Sequence, residues 1–350
     1  MALTPAQYAA FVTTVDTTIG QIYNQMDPAM THPEWATTIP VSGSIWNAGW
    51  TGRMPKPRAW FGSRVLNEPA AQTYQVTPIP YELTYGIDRF QLEDSDVNTQ
   101  SIFWRLLPDM ATQWRRQPEY ELRDLLEGTG VQASGNGVGG NRQNGLDGLT
   151  AFNIAHPINL YVPNFNGGGN ALFAGGTYCN DFTGGGQTIN GTLIGGPLGQ
   201  TSFASLLQYM QVIPDESGEV LGVMPDAMMF PPTLQVEANF ILTATFLASP
   251  IWGAFSPLTG QVGAADNMLR KVGVRPLVNR WLKNTKRWYL MDTSHAMKPM
   301  IWLVREAPRT VPRVNENDPI VFDSHRYTWG GWDRVAPAWN FSWLMARSGP

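Results

Sequence analysis

One long helical run constrains this chain more than any other stretch. Between Asp96 and Gly128, Ile102, Leu106, Met110 and Trp114 form an i, i+4 line reinforced by Phe103 and Leu107. Tyr120, Leu122, Leu125 and Leu126 continue the pattern. Asp96, or Ser95 beside it, supplies an N-cap, and Gly128 a C-terminal stop. Pro108 and Pro118 predict a kink or a division. At 1.5 Å per residue the pieces span roughly 45 Å. A helix of that length in a 350-residue chain predicts an elongated molecule, with Ile102, Leu106, Met110 and Trp114 as the helix's buried face.

The flanking sequence is largely β. Thr4-Pro5 opens an amphipathic N-terminal helix whose apolar face is Tyr8, Phe11, Val12, Val15, Ile19 and Ile22. A Pro- and Thr-rich extended stretch leads to Trp50. Tyr81, Leu83, Tyr85 and Ile87 alternate with Glu82, Thr84, Gly86 and Asp88, which predicts a half-buried strand. Beyond a Gly/Asn loop to Gly148, a glycine-rich tract from Pro163 to Gly199 is long for one connection and predicts an exposed or functional segment. Phe203, Leu206, Leu207 and Met210 read as a helix, and Thr233 starts another. Strands are predicted at Val220–Val223, Ala227–Phe230, Val274–Val278, Trp288–Met291, Met300–Val304 and Tyr327–Trp332. From Val335 to Met345 alternate residues share one face. Helices and strands are segregated, so the class is α+β rather than doubly wound.

Charged residues make up only 15% of the chain, which also carries fourteen tryptophans. Such a composition suits surface buried against neighbours, or else a Trp-rich core in an ordinary globular protein. The net charge of −4, with no basic tail, gives no general attraction to nucleic acid. Against that background the stretch GWTGRMPKPRAWFGSR (Gly49–Arg64) stands out, because it packs aromatics, proline and arginine together without an acid. Trp50, Arg53, Arg58, Trp60 and Arg64 are the expected subunit contacts there, with Tyr8, Phe11 and Val15 in the N-terminal helix. The N-terminus lacks the pattern of a signal peptide, and no apolar run is long enough to span a membrane, so synthesis in the cytoplasm is expected.

The chemical motifs favour structural explanations. Gly135–Gly140 (GNGVGG) fits a dinucleotide fingerprint by letter, but a helix precedes it and a loop follows, the reverse of what pyrophosphate binding needs. Glu93, Asp94 and Asp96 suit a helix N-terminus. Asp292, Ser294 and His295 are adjacent in sequence, which supplies none of the geometry of a nucleophile and its base. One cysteine, Cys179, and four scattered histidines give no metal-ligand spacing. No catalytic site, metal or cofactor is predicted.

Ordered blocks then point to a family. They are Thr4-Pro5-Ala6, Gly49–Arg64, YGIDRFQLEDSD (Tyr85–Asp96), LLEGTG (Leu125–Gly130) and GLDGLTAFNIAHP (Gly145–Pro157). LGVMPDAMMFPPTLQ (Leu221–Gln235), Trp288–Glu306 and Phe322–Ser348 follow. Together they resemble the major head protein of Mu-like tailed bacteriophages. The resemblance implies the α+β tailed-phage capsid fold of the Hong Kong 97 type. Carried over by block, an N-terminal arm takes residues 1–48, an extended loop 49–83, a peripheral domain with a spine helix 84–145, and an axial domain 146–298. Residues 299–350 would return as strands to the peripheral domain. The implied function is a major capsid protein that self-assembles into pentamers and hexamers of an icosahedral virion head around double-stranded DNA, without sequence-specific binding. The implied partners are further copies of the chain, a separate scaffolding protein and a portal, with no membrane; the need for cement proteins is left open. An encapsulin-like shell, a β-rich tail or adhesin protein and a hydrolase are the competing readings.

Overall fold

The computed structural model describes residues 13, 17, 21, 29–50, 72–88, 97–128, 144–145, 147–158, 171–173, 175–248, 264–313, 315 and 318–350. In chain order the principal strands are β1 (Ala36–Pro40), β2 (Trp46–Trp50), β3 (Gln72–Val76), β4 (Ile79–Asp88), β5 (Asp181–Phe182) and β6 (Ala227–Phe230). They continue with β7 (Arg275–Val278), β8 (Trp288–Met291), β9 (Met300–Arg313), β10 (Arg326–Trp339) and β11 (Met345–Ser348). The principal helices are α1 (Val97–Glu127), α2 (Gln200–Gln211) and α3 (Gln235–Thr243). Two sheets carry the fold. A four-stranded sheet runs β1-β9-β10-β4, and a five-stranded sheet runs β7-β6-β8-β11-β5. The first is antiparallel except that β1 lies parallel to β9.

The five-stranded sheet is buried on both faces, which explains its runs of unbroken apolar residues. Met228, Phe230, Trp288, Leu290 and Ala346 face a core built with Phe203, Leu206 and Met210 of α2. Ala227, Met229, Tyr289, Met291 and Met345 face a second core, shared with Leu122, Leu125 and Leu126 of α1 and with Trp302 and Trp339 of the other sheet. The alternation follows from the two-residue period of a strand. Trp35, Trp288 and Trp329 are fully buried. A large share of the tryptophan therefore serves the interior, the plainer of the two readings of composition.

Several expectations are corrected. Helix α1 is continuous for 31 residues through both Pro108 and Pro118, so the chain is not divided there. Its length is about 46 Å at the standard rise. Packing along one side of the helix supplies what two missing N–H donors remove. Residues 335–345 do not form one strand. The Asn340 side chain donates to the Met297 and Lys298 carbonyls, and its N–H donates to Pro299. This turn ends β10 at Trp339, and the chain passes through a 3-10 turn (Ser342–Leu344) to join the other sheet as β11. Residues Val220–Val223 are not a strand; only an isolated bridge joins Val220 to Pro214.

The glycine-rich tract, from residue 175 onward, is a core component and not a free loop. Tyr178, Phe182, Ile194 and Leu198 are buried in the first core. The glycines allow close approach, since a Cβ on Gly195, which has φ +73°, would overlap Phe182 and Ser348.

Candidate functional site

The long helix and the four-stranded sheet form a platform. Met110 and Trp114 are buried against β10, where Gly331 makes room. A Cβ at Gly331 would lie 2.9 Å from Trp114 Nε1 and 3.1 Å from Met110 Cε. Leu106 and Ile102 stand about one and two turns before Met110 on the same helix. The helix is fixed at its far end by charge. Buried Glu119 accepts the backbone N–H groups of Thr31 and His32, holding the helical turn His32–Trp35 at its N-terminus. Glu127 accepts from the Lys283 and Asn284 N–H groups at 3.2 and 2.8 Å, and Lys283 Nζ donates to Asp124 at 2.8 Å. Arg116 lies over the Trp281 ring at 5.2 Å, and Tyr120 meets the same ring edge-on. Gly128 then ends the helix with φ +74°.

The opposite face of the sheet carries a hairpin. Strands β2 and β3 pair from Trp46↔Val76 to Trp50↔Gln72. Tyr74 and Val76 pack with Val41 on Ile301, Leu303, Ala336 and Ala338, and the Trp46 ring meets Tyr74 edge-on. Strand alternation puts Ala336 and Ala338 on the face of β10 away from Gly331. The paired ends Trp50 and Gln72 therefore anchor the basic-aromatic segment to a fixed stalk. Trp50 closes that hairpin, while Arg53, Arg58, Trp60 and Arg64 lie outside the described residues, as do Tyr8, Phe11 and Val15. Thr13, Thr17 and Gln21 are helical and exposed at i, i+4 spacing, the polar side expected of the N-terminal helix.

Candidate chemistry resolves into structure. Buried Asp292 accepts from the Met224 N–H at 2.8 Å and from the Ser294 N–H and hydroxyl at 3.0 and 2.6 Å. Ser294 thus donates to the acid, and His295 Nδ1 stands 3.6 Å from the same carboxylate. The three residues make a turn and not a nucleophile–base pair. Burial pushes the Cys179 thiol up to about 12, so it is a poor nucleophile at neutral pH. No group of three or more metal-ligating side chains occurs among the described residues. No helix among them is long and apolar enough to cross a membrane. Glu93, Asp94, Asp96 and Gly135–Gly140 lie outside the described residues.

A buried polar knot is a feature that sequence reading missed. His156 is fully buried, with Nδ1 2.5 Å from Asp147 and Nε2 3.1 Å from Asn180 Oδ1. Its ring stacks on Tyr178, whose hydroxyl lies 2.5 Å from that of Ser342. Asn180 Nδ2 donates to the Ala151 and Ser342 carbonyls at 2.7 and 2.9 Å. Asp147 and His156 sit in one quoted sequence block, but Asn180 and Ser342 come from remote stretches.

A family model described as the Mu-like prophage major head subunit gpT matches residues 9–170 and 272–349. The chain belongs to that family. The stretch the family model passes over contains α2, α3 and β6, including the Leu221–Gln235 block. A curated head-subunit relative, the major capsid protein of Escherichia phage Mu, is 27% identical over 124 residues. The matched region spans 35% of each chain, about a third of that relative's length. Among solved structures, the procapsid of bacteriophage JBD30 is 22% identical, covering 99% of this chain and 76% of that one, at a TM-score of 0.51. The capsid of Myoviridae phage XM1 is 8% identical, covering 93% and 92%, also at 0.51. These two structures show the fold of this head-subunit chain to be the α+β fold of phage capsid proteins.

Proposed function

We propose that the chain is the major capsid protein of a tailed bacteriophage, assembling with copies of itself into pentamers and hexamers of an icosahedral head around double-stranded DNA. Membership of the head-subunit family on both sides of residues 171–271 carries this reading. The output is assembly and not turnover, a view supported by the locked Asp292 turn and the buried Cys179 thiol. In this reading residues 1–48 are an arm, 49–83 an extended loop and 84–145 the helix-bearing peripheral region. Residues 146–298 are an axial region, and 299–350 are strands returning to the peripheral sheet. The segment on the β2–β3 stalk reaches a neighbouring subunit through Arg53, Arg58, Trp60 and Arg64, beside Trp50. Its cationic and aromatic groups are the kinds that anchor interfaces. The N-terminal helix adds Tyr8, Phe11 and Val15. Scaffolding and portal proteins act as separate partners, and the finished subunit resides in the virion.

Negative-stain microscopy of the full chain, expressed alone and with a scaffolding protein, tests the reading. Closed shells or ring-shaped capsomers are expected. Fibres, or monomers under both conditions, overturn it. In a second arm, Arg58→Ala with Arg64→Ala should weaken capsomer joining, most clearly at high salt, where the remaining charge contacts are screened.

A further inference from the structure

The face of β10 beneath the long helix holds an acid that the assembly reading leaves unused. Asp333 is 1% exposed. Its Oδ1 accepts one long bond, 3.4 Å from Gln117 Nε2 of α1, and its Oδ2 is buried without any hydrogen-bond donor. A buried carboxylate in that state carries a large desolvation cost.

A neighbouring acid makes the cost worse. From α1, one turn beyond Gln117, Glu121 adds a second negative charge. From β4, Tyr81 is the register partner of Asp333, and its hydroxyl donates to Glu121 Oε2 at 2.6 Å. Two arginines of the adjoining strand segments are engaged elsewhere. Arg334 pairs with Glu306 at 3.6 Å, and Arg309 lies over the Trp332 ring at 3.9 Å. Among the described residues, no cation acts on Asp333. The balance has one chemical remedy, a proton on Asp333. It removes the repulsion with Glu121 and relieves the burial of charge.

We infer that the contact between the long helix and the four-stranded sheet is a proton-binding site centred on Asp333 and Glu121, and that the helix is held most firmly when the proton is bound. Burial, with Glu121 adding to it, outweighs the opposing hydrogen bonding led by Gln117 and pushes the Asp333 carboxyl from 3.8 up to about 7. The direction follows from linkage. The folded chain holds a proton that the unfolded chain releases, so the stability due to Asp333 is greatest below the unfolded value. It is lost as pH rises towards the folded value, and it levels off above. This is opposite to the behaviour of a salt-bridged aspartate. The inference concerns the subunit itself and does not depend on whether the chain forms shells.

The test compares urea unfolding of the full chain with that of Asp333→Asn, which mimics the protonated acid, at half-unit steps from pH 4.5 to 8.5. The unfolding constant of the unmodified chain, divided by that of the variant, should rise about tenfold per pH unit below about pH 7 and flatten above it. A second variant, Glu121→Gln, should fold normally and move the plateau to lower pH, because one of the two raising influences is gone. It also serves alone should Asp333→Asn fail to fold. Parallel pH profiles for the unmodified chain and both variants would overturn the inference. So would a ratio that falls as pH rises.

Discussion

At the scale of single residues, buried polar groups tie distant stretches of sequence together. His156 joins the block around Asp147 to Asn180, and Asn180 joins both to Ser342. His156→Ala strips Asp147 of its buried partner, and such breaks cost about 3 kcal/mol. Urea denaturation should show the loss at neutral pH; a change under ~0.5 kcal/mol, the range of ordinary surface substitutions, would mean that water replaces the ring. Arg347 grips Asp181 with two bonds, at 2.9 and 2.6 Å. Burial of Asp181 opposes ionisation, but Arg347 and Thr183 outweigh it and hold the carboxyl below its usual 3.8. Its contribution is therefore present above 3.8 and fades as pH falls through the depressed value. The stability gap between the unmodified chain and Asp181→Asn should be constant above about pH 5 and close in stronger acid. An unchanging gap down to pH 2 would show that the pair is broken in solution.

Elements were legible where their signal was local. Trp288–Met291 reads as a buried strand because every residue is apolar, and the helix at Phe203–Met210 shows its spacing openly. Tyr81–Ile87 alternates as a half-buried strand should. The reading stopped short where the deciding contact lay far away. Strand β10 joins the Tyr327–Trp332 strand to the run from Val335 through Pro337, because β9 pairs with both stretches. The break at Asn340 depends on carbonyls more than forty residues earlier. Gly331 had no meaning in the sequence; its meaning is the distance to Trp114. Gly331→Val should overpack that contact and cost about 1–3 kcal/mol. Gly331→Val paired with Met110→Ala should recover part of the loss. A recovery of zero would place the strain elsewhere.

For the molecule as a whole, the order of the family blocks was the most informative signal, while the candidate contacts at Tyr8, Phe11, Val15 and Arg53–Arg64 lie outside the described residues. The stalk still permits a clean test of them. Trp50 and Gln72 are paired, so residues 51–71 can be replaced by Asn-Gly, the turn best suited to a two-residue hairpin. The shortened chain should keep its melting temperature within a few degrees and fail to build shells. Normal shells from it would remove the segment from assembly.

The strand order also bears on how the chain is made. Strands β9 and β10 are the two central members of one sheet, and β11 sits between β8 and β5 in the other. All three arise from residues 300–348. On the ribosome, β1 and β4 emerge early and wait for partners encoded more than two hundred residues later. Neither sheet can close until residues 300–348 have been made. A nascent chain shorter than this thus holds the outer strands of both sheets without the inner strands that they pair with.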